Sequence, residues 1–384
     1  MIFSHGLGGS RNAYSHLLGS LSSHGVVVIA PDHRDGSSPV SFVQNVDKPG
    51  VSKVDYRKVP HNASTEVYES RDEQLRIRLR ELGLVYDALV KVDQGQELTN
   101  LLEKQATKYD RKPTLSMFAN QLDIHKPGSI SFAGHSFGAA TVVQFVKSVF
   151  YQSDSHEPGY KPLYAPARSA RITTQITAAT PVFLLDLWTL PIQSPATAWL
   201  REKPMPCYTS SSGGHNLLAI LSEAFYKWNT NLQETKRIVA PPKNFSHNPS
   251  GPHVFYPASS AHLSQSDFGV LFPWVTTKIF GAKEPERMLK LNVRAMLQVL
   301  RDCHVEVANT SRADMELDMD PTAPADVGLD ESILSKRDGV VKDWIAVPMD
   351  TDPFVKGPAA DKAPADAVLE GEVLGEIVSK SERK

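Results

Sequence analysis

Residues 129–150 constrain the fold of this chain more than any other stretch. The strand-like run SISFAG (129–134) leads through GHSFG (134–138) into FGAATVVQFVKSVF (137–150), which has the apolar pattern of a buried helix. A serine in a G-x-S-x-G turn between a strand and a helix projects its hydroxyl above the edge of a sheet. The pattern predicts an α/β fold with a mainly parallel sheet and makes Ser136 the candidate nucleophile. The alternative is a serine that only caps the helix.

The remaining sequence alternates between strand-like and helix-like runs, which is typical of a parallel sheet covered by helices on both faces. The strand-like runs are 1–4, 26–32, 129–134, 179–188 and 205–211, and helical patterns cover 66–92, 137–150, 216–228 and 285–303. Residues 93–128 are polar and predict an insertion. The Asp-, Ala- and Pro-rich segment 305–384 has too little apolar surface to offset its ordering entropy. We therefore expect one catalytic domain over residues 1–304 and a largely disordered tail.

The glycine-rich segment HGLGG (5–9) is the best candidate for one half of an oxyanion hole. A serine of this kind needs two backbone N–H donors, and one of them belongs to the residue after the nucleophile, here Phe137. The second comes from a loop after an earlier strand, where the glycines let the amide of Leu7 point inward. The alternative is a turn that needs only the flexibility of glycine.

The acid of a catalytic triad should follow the serine in this fold class and precede the histidine. Asp186 ends the apolar run PVFLLD (181–186), which has the composition of a central strand. The next strand-like run is followed by no carboxylate before Glu223, which lies within a predicted helix. Asp186 is therefore the expected acid, and a helix cap or a surface carboxylate is the alternative.

Four histidines are candidates for the base. His262 follows the strand-like HVFYP (253–257) and precedes a helix-like segment, which is the expected place for a triad histidine. His215 is better suited to capping a helix, and His247 and His253 lie among Pro and Asn in a loop that enters an edge strand. Spacing favours His262 and leaves the other three open.

Composition excludes several classes of function. A net charge of −2 without a Lys/Arg-rich run gives no electrostatic basis for binding nucleic acid. Cys207 and Cys303 do not make a disulfide framework, so we expect a reducing compartment such as the cytoplasm. No apolar run approaches the roughly 20 residues of a membrane span, and no signal peptide is visible. The sequence shows no close-set His, Cys and Asp residues, so neither a metal nor a cofactor is expected.

Five segments, taken together and in order, resemble the platelet-activating factor acetylhydrolases, the plasma and type II intracellular branch of the α/β-hydrolases. They are FSHGLGGSRNAYS (3–15), GVVVIAPDHRDGSS (25–38), GHSFGAATV (134–142), LLDLW (184–188) and SSAHLSQSDF (259–268). The resemblance covers most of residues 2–303. It implies an α/β-hydrolase fold in which the opening strands before HGLGG are missing, and we therefore expect a longer form of the chain upstream of Met1.

The resemblance also implies residue roles and a reaction. The nucleophile falls on Ser136, the acid on Asp186 and the base on His262, and the oxyanion amides fall on Leu7 and Phe137. Members of the family cleave short or oxidised sn-2 acyl chains from glycerophospholipids without calcium, at or near lipid surfaces. The implied activity is that of a 1-alkyl-2-acetylglycerophosphocholine esterase with a phospholipid substrate.

Some features depart from the family pattern or leave other functions open. The polar segment 152–171 lengthens the connection between the serine and the acid, and we expect it to form a lid or to reshape the acyl pocket. Apolar residues near the site, namely Trp188, Leu190 and LFPWV (271–275), suggest lipid contact, although core packing is the usual role of such residues. The alternatives are a general short-chain carboxylesterase or thioesterase, and a catalytically inactive hydrolase fold that binds a partner. The sequence leaves the oligomeric state open.

Overall fold

The computed structural model describes residues 1–45, 50–98, 114–154, 157–210, 213–245, 250–315, 326–327, 329–349 and 363–364. The strands are β1 (Ile2–Ser4), β2 (Val40–Gln44), β3 (Val51–Asp55), β4 (Phe132–His135), β5 (Val182–Leu185), β6 (Leu217–Ile220), β7 (His253–Pro257), β8 (Thr310–Ser311), β9 (Asp326–Val327) and β10 (Trp344–Ala346). The α-helices are α1 (Ser15–Ser23), α2 (Thr65–Asp93), α3 (Phe137–Phe150), α4 (Ile172–Gln175), α5 (Ala198–Glu202), α6 (Glu223–Lys227), α7 (Asn229–Val239), α8 (Phe268–Leu271), α9 (Pro273–Phe280), α10 (Pro285–Asp302) and α11 (Arg312–Met315). Short 3₁₀ helices include Arg11–Tyr14, Thr114–Phe118, Leu190–Ile192, Pro195–Thr197, Pro206–Thr209, His262–Gln265 and Glu331–Leu334. No helix in these ranges is long and apolar enough to cross a membrane.

A six-stranded sheet with the order β1-β4-β5-β6-β7-β10 forms the centre of the molecule. The first five strands in this order are parallel, and β10 is antiparallel to β7. The register places Ser4 beside Gly134 and His135 beside Leu185. The carboxyl ends of these strands therefore lie at one edge of the sheet, where ligands bind in open α/β sheets.

Both faces of the sheet are buried, because alternate strand residues point to opposite sides. Phe132, Leu184 and Val254 belong to one apolar cluster, which also contains residues of α2 and α3. Phe183 and Phe255 belong to the other cluster, which contains residues of α1 and α10. The mixed, mostly parallel sheet with helices on both sides confirms the predicted α/β class.

The long helices agree closely with their sequence patterns. Helix α2 begins after Ser64, whose hydroxyl accepts a hydrogen bond from the amide of Val67 at 3.2 Å. This is an N-cap, which satisfies one of the amides that a helix start leaves unpaired. Helices α3 and α10 also lie where the apolar periodicity predicts them.

Two predictions in the region before α7 were wrong. Residues 205–211 were expected to form a strand, but they contain the 3₁₀ helix Pro206–Thr209. Residues 216–228 were expected to form a helix, but their first part is the central strand β6, Leu217–Ile220, and only Glu223–Lys227 is helical. A short continuous apolar run fits a buried parallel strand as well as a buried helix, so its periodicity does not distinguish them.

The run 26–32 was also predicted as a strand. It lies beside β1, where the amide of Phe3 donates to the carbonyl of Ile29 at 2.8 Å and the amide of Ile29 donates to Met1 at 3.0 Å. The pairing is limited to a single bridge between Ile2 and Ile29, so the segment is extended without forming a full strand.

Part of the predicted disordered tail packs on the sheet. Strand β10 pairs with β7, and the indole of Trp344 stacks on Phe255 with 5.3 Å between ring centroids. Asp330 forms a buried ion pair with Arg294 of α10 at 2.7 Å. Residues in the stretch 329–349 therefore pack against the domain, because a few apolar residues suffice to cover an existing sheet edge. Residues 350–362 and 365–384 of the predicted tail lie outside the described residues.

The last part of the predicted insertion contacts the C-terminal end of α2. The amide of Leu122 donates to Oδ1 of Asp93 at 2.8 Å, and Nε2 of His125 pairs with its Oδ2 at 2.6 Å. These contacts fix the chain before it enters β4. Residues 99–113 of the insertion lie outside the described residues.

Candidate active site

Ser136 occupies a strained turn between β4 and α3. Its φ of 54° and ψ of −116° are unfavourable for a residue with a side chain. A Cβ on Gly134 would lie 2.4 Å from the carbonyl carbon of Gly138, and a Cβ on Gly138 would lie 1.9 Å from the carbonyl oxygen of Ser4. Both glycines of GHSFG are therefore required by close backbone approach, which supports the strand-turn-helix interpretation of this motif.

Asp186 and His262 form a buried hydrogen-bonded pair. Asp186 directly follows β5 and has a φ of 45°, and its Oδ2 lies 2.8 Å from Nδ1 of His262. Its Oδ1 accepts the amide of Ser222 at 2.5 Å. Burial raises the pKa of Asp186, while hydrogen bonds from His262 and Ser222 oppose that rise. The carboxylate thus orients the imidazole and leaves Nε2 as the ring nitrogen that can exchange a proton with a hydroxyl.

The structure places the other candidate histidines elsewhere. His215 lies in the turn before β6, and His253 begins β7. Burial lowers the pKa of His253 to about 4. His247 lies outside the described residues. Among the described candidates, His262 is the one that is hydrogen bonded to Asp186.

Leu7 and Phe137 are positioned as the two candidate oxyanion donors. Both residues are buried, and among the described residues neither amide donates a hydrogen bond to a protein acceptor. The HGLGG loop lies against the nucleophile, since a Cβ on Gly6 would be 3.2 Å from Cβ of Ser136. Two buried amides without a protein acceptor beside the candidate nucleophile are what an oxyanion hole requires, so Leu7 and Phe137 remain the candidate donors.

The buried ion pair between Arg78 and Asp35 holds the HGLGG loop in place. Nε of Arg78 in α2 lies 2.7 Å from Oδ2 of Asp35, and both side chains are fully buried. Arg78 Nη1 donates to the carbonyl of His5 at 2.8 Å, and Nη2 donates to the hydroxyl of Ser37 at 2.5 Å. The guanidinium also lies 4.3 Å from the ring centroid of Phe137. One side chain thus contacts both candidate oxyanion segments.

The ionisation of this pair follows from its surroundings. Burial by itself would raise the pKa of Asp35, but the neighbouring Arg78, His33 and Ser37 bring it below its ordinary value. The carboxylate is therefore charged at neutral pH, as the paired guanidinium requires. Arg78 carries no motif of its own, and the sequence analysis did not identify it.

Two neutral histidines, His5 and His33, lie next to this ion pair. His33 Nδ1 pairs with Oε2 of Glu81 at 2.8 Å, and its Nε2 lies 2.9 Å from the hydroxyl of Ser4. The amide of His33 donates to Nε2 of His5 at 3.1 Å. Burial lowers the pKa of both rings, with a further contribution from Arg78, and that of His5 falls to about 3. Both imidazoles are therefore neutral parts of the support beneath HGLGG.

No close-set group of His, Cys and Asp is predicted from the sequence, but the structure contains one. His135, Asp186 and His262 bring one ring nitrogen or carboxylate oxygen each to within 4.8 Å of one another, and all three are buried. Two ligands of one zinc ion lie roughly 3.3 Å apart when the metal–ligand bonds are about 2.0–2.1 Å. The 2.8 Å contact between His262 and Asp186 fits a hydrogen bond better than shared metal ligation. The residues are too far apart in the sequence for spacing to reveal them.

Trp188 lies in the core. Its ring is buried beneath the guanidinium of Arg71, with 5.0 Å from Cζ to the ring centroid, and its centroid lies 6.0 Å from that of Phe137. This burial favours a packing role for Trp188 over contact with a lipid surface.

Comparison with known proteins gives consistent matches. The model of the family "Platelet-activating factor acetylhydrolase, isoform II" matches residues 1–321. A putative phospholipase A2 of Schizosaccharomyces pombe is 29% identical over 320 residues, which cover 79% of this chain and 68% of that protein. The platelet-activating factor acetylhydrolase of Bos taurus is 34% identical over 147 residues, which cover 38% of this chain and 31% of that protein. That of Gallus gallus is 24% identical over 315 residues, which cover 78% of this chain and 61% of that protein. The chain thus aligns with less than two thirds of either acetylhydrolase.

Replacing Asp35 with Asn should strongly destabilise the fold. The Asp35→Asn variant leaves the buried guanidinium of Arg78 without its counter-ion, so we expect the free energy of unfolding to fall by about 3–5 kcal/mol. Glu73→Gln is the matched control, since Glu73 pairs at 2.7 Å with Arg57 where both side chains are well exposed. That change should cost less than about 1 kcal/mol. Urea denaturation measures both, and equal losses would contradict the prediction.

The free energy of unfolding should also decrease as the pH is lowered below about 6.5. In the folded state the pKa of His5 is about 3, which is lower than the roughly 6.5 of an unfolded histidine. The unfolded chain therefore binds more protons, so this contribution is complete above about pH 6.5 and is lost as the pH falls towards the folded value. The pKa of His33 is also lowered in the folded state, so His33 makes a contribution of the same sign to the pH dependence. Each histidine adds a slope of up to about 1.4 kcal/mol per pH unit.

Urea denaturation at several pH values between 7.5 and about 4.5 tests this slope. The His5→Gln variant removes one of the titrating groups, so its free energy of unfolding should vary less steeply than that of the wild type. Parallel curves for the two proteins would show that His5 is not a neutral buried base.

Proposed function

The chain belongs to the isoform II family of platelet-activating factor acetylhydrolases, and from this membership we propose that it is a serine hydrolase that cleaves the sn-2 ester of short-chain or oxidised glycerophospholipids. One observation carries the proposal most directly. The Asp186–His262 pair, joined at 2.8 Å, lies at the same sheet edge as Ser136 on its strained turn. The relatives are named as a putative phospholipase A2 and as acetylhydrolases of platelet-activating factor, and this suggests the class of ester.

The proposed reaction proceeds in two stages. His262 Nε2 takes the proton of the Ser136 hydroxyl as Oγ attacks the ester carbonyl, and Asp186 stabilises the imidazolium. The amides of Leu7 and Phe137 hold the oxyanion of the tetrahedral intermediate. The intermediate collapses, His262 returns the proton to the leaving alcohol, and the acyl group remains on the serine. Water, deprotonated by His262, then attacks the acyl-enzyme and releases the carboxylic acid.

Protein groups supply every element of this scheme. The nucleophile is activated by a histidine, and the developing negative charge is held by backbone amides, so the mechanism requires no calcium ion. The preference for a short or oxidised acyl chain rests on family membership. A general short-chain esterase would use the same residues, and the substrate panel below separates the two.

Reaction with a fluorophosphonate probe tests the proposed nucleophile. The wild type should be labelled on Ser136, Ser136→Ala should not be labelled, and Asp186→Asn should react about 10⁴-fold more slowly. Ser23→Ala, which changes an exposed serine at the end of α1, is the control and should be labelled at the wild-type rate. Folded wild type without any label on Ser136 would refute every hydrolase version and favour the binding-module alternative.

A panel of substrates then separates the two enzyme functions. Glycerophosphocholines that differ only at sn-2 should be cleaved faster with acetyl than with long acyl chains. We expect p-nitrophenyl acetate to be a poorer substrate than the sn-2 acetyl phospholipid. Equal or better cleavage of p-nitrophenyl acetate, with no phospholipid turnover, would favour the general carboxylesterase.

An exposed apolar patch follows the loop of His262. The Trp274 patch comprises Leu271, Phe272, Trp274 and Ile279, whose side chains are between 50% and 68% exposed. Lys278 lies beside it, with Nζ 5.3 Å from the ring centroid of Trp274. Exposed large apolar residues clustered on two short helices are unusual for a water-facing surface and fit contact with a lipid surface. The Trp274 patch thus supports a substrate presented at a lipid surface.

Removing the ring of Trp274 should weaken binding to lipid vesicles. We expect Trp274→Ala to partition into phosphatidylcholine vesicles about tenfold more weakly, because it buries less apolar area. Its kcat with p-nitrophenyl acetate should stay at the wild-type value. Leu84→Ala is the matched control, because Leu84 is 50% exposed on α2, outside the patch. Unchanged partitioning of Trp274→Ala in a flotation assay would remove the lipid-surface proposal.

A further inference from the structure

A chain of hydrogen bonds joins the HGLGG loop to the residue before the nucleophile. The amide of Gly6 donates to the hydroxyl of Tyr14 at 3.0 Å, and this hydroxyl lies 2.9 Å from Nδ1 of His135. Both Tyr14 and His135 are completely buried. Neither residue has a role in the reaction proposed above.

The hydroxyl of Tyr14 bridges the amide of Gly6 and the ring of His135. Because the oxygen of Tyr14 accepts the Gly6 amide, its own proton is available to donate to Nδ1 of His135. Burial, together with the nearby His262, lowers the pKa of His135 well below its ordinary value, which is consistent with a neutral ring.

His135 in turn contacts the proposed base. Its ring lies against that of His262 with 4.4 Å between centroids and 32° between planes. Phe225 stacks on the same imidazole at 4.4 Å and 12°. The orientation of His262 is therefore fixed by these two rings and by the hydrogen bond that its Nδ1 donates to Asp186.

The HGLGG loop is shaped around the hydroxyl of Tyr14. A Cβ on Gly6 would lie 3.3 Å from this oxygen, and a Cβ on Gly9 would lie 3.2 Å from it. Apolar packing does not account for the hydroxyl, because the ring of Tyr14 already packs against Phe3 at 4.7 Å. A phenylalanine would fill the same space, so the hydroxyl must be explained by its hydrogen bonds.

We propose that Tyr14 and His135 are positioning residues that couple the oxyanion loop to the catalytic histidine, an inference that rests on the proposed function. Through its hydroxyl, Tyr14 holds the Gly6–Leu7 backbone beside Ser136, and it holds the His135 ring against His262. The hydroxyl of Tyr14 thus fixes the position of the Leu7 amide relative to the imidazole of His262. Loss of the hydroxyl leaves two buried polar groups without their partner, and the loop and the imidazole can then shift independently.

Tyr14→Phe tests the coupling because it removes only the hydroxyl. We expect kcat for p-nitrophenyl acetate to fall roughly 10- to 100-fold, with KM changed less than about threefold, since misplacement of catalytic groups slows the reaction more than it weakens binding. The rate of labelling by fluorophosphonate should fall by the same factor. Tyr151→Phe is the matched control, because its partly buried hydroxyl donates to the carbonyl of Pro204 at 3.0 Å, outside this network. That variant should keep the wild-type kcat even where it lowers the melting temperature.

A double-mutant cycle with His135→Phe provides the second test. His135→Phe keeps a flat ring against His262 but removes the nitrogen that faces Tyr14. If the two residues act through their shared hydrogen bond, the double variant should lose about as much kcat as the worse single variant. Losses that multiply would show that they act independently and would overturn the proposal. Thermal unfolding is measured for each variant, so that a loss of kcat caused by poor folding is recognised as such.

The outcomes separate the inference from the proposed function. A wild type that is labelled on Ser136, together with a Tyr14→Phe variant of unchanged kcat, overturns the coupling and leaves the hydrolase in place. A folded wild type that is not labelled overturns the proposed function, and the coupling falls with it. An equal loss of kcat in Tyr151→Phe would assign the effect to general destabilisation and would also overturn the coupling.

Discussion

The buried ion pair between Arg78 and Asp35 is the contact on which the candidate site depends. Two charges withdrawn from water carry a large desolvation cost, which is offset only when geometry and further hydrogen bonds satisfy them. Here the guanidinium also donates to the carbonyl of His5 and to Ser37, and it lies over the ring of Phe137. The cost is recovered only when all these partners are in place. Helix α2, the turn after residue 32 and both candidate oxyanion segments are therefore held in one arrangement.

The strain at Ser136 is maintained by the surrounding backbone. Its positive φ is unfavourable, yet β4 is paired on both sides, and the amide of Ser136 donates to Leu185 at 2.9 Å. Gly138 passes so close to Ser4 that no side chain fits between α3 and the end of β1. The sheet and the helix together determine the turn, which is the condition under which strained residues persist at functional sites. The adjacent Asp186 also has a positive φ, so two neighbouring strands end in the same unusual way.

Sequence patterns predicted the elements whose signals are local. The strand-turn-helix around Ser136, the amphipathic helix α2 and the placement of Asp186 at a strand end need only neighbouring residues. The run around Leu217 was misassigned because a buried central strand and a buried helix share the same apolar composition. Arg78 and His135 could not be identified, since their roles depend on partners more than 40 residues away in the chain. Strand β10 was missed because its few apolar residues cover an existing sheet and need no core of their own.

The segments that carried the family resemblance are also the segments that meet in space. HGLGGSRNAY supplies Leu7 and Tyr14, the HRDGSS turn supplies Asp35, and GHSFG supplies His135 and Ser136. Their glycines serve different neighbours, since Gly138 makes room for the backbone of Ser4, whereas Gly6 and Gly9 make room for the hydroxyl of Tyr14. A single motif of this kind recurs easily, because each needs only a few fixed residues. Their joint occurrence is far more specific, because each motif shapes a surface that another motif contacts, and the serine turn keeps its conformation only when all of them are in place.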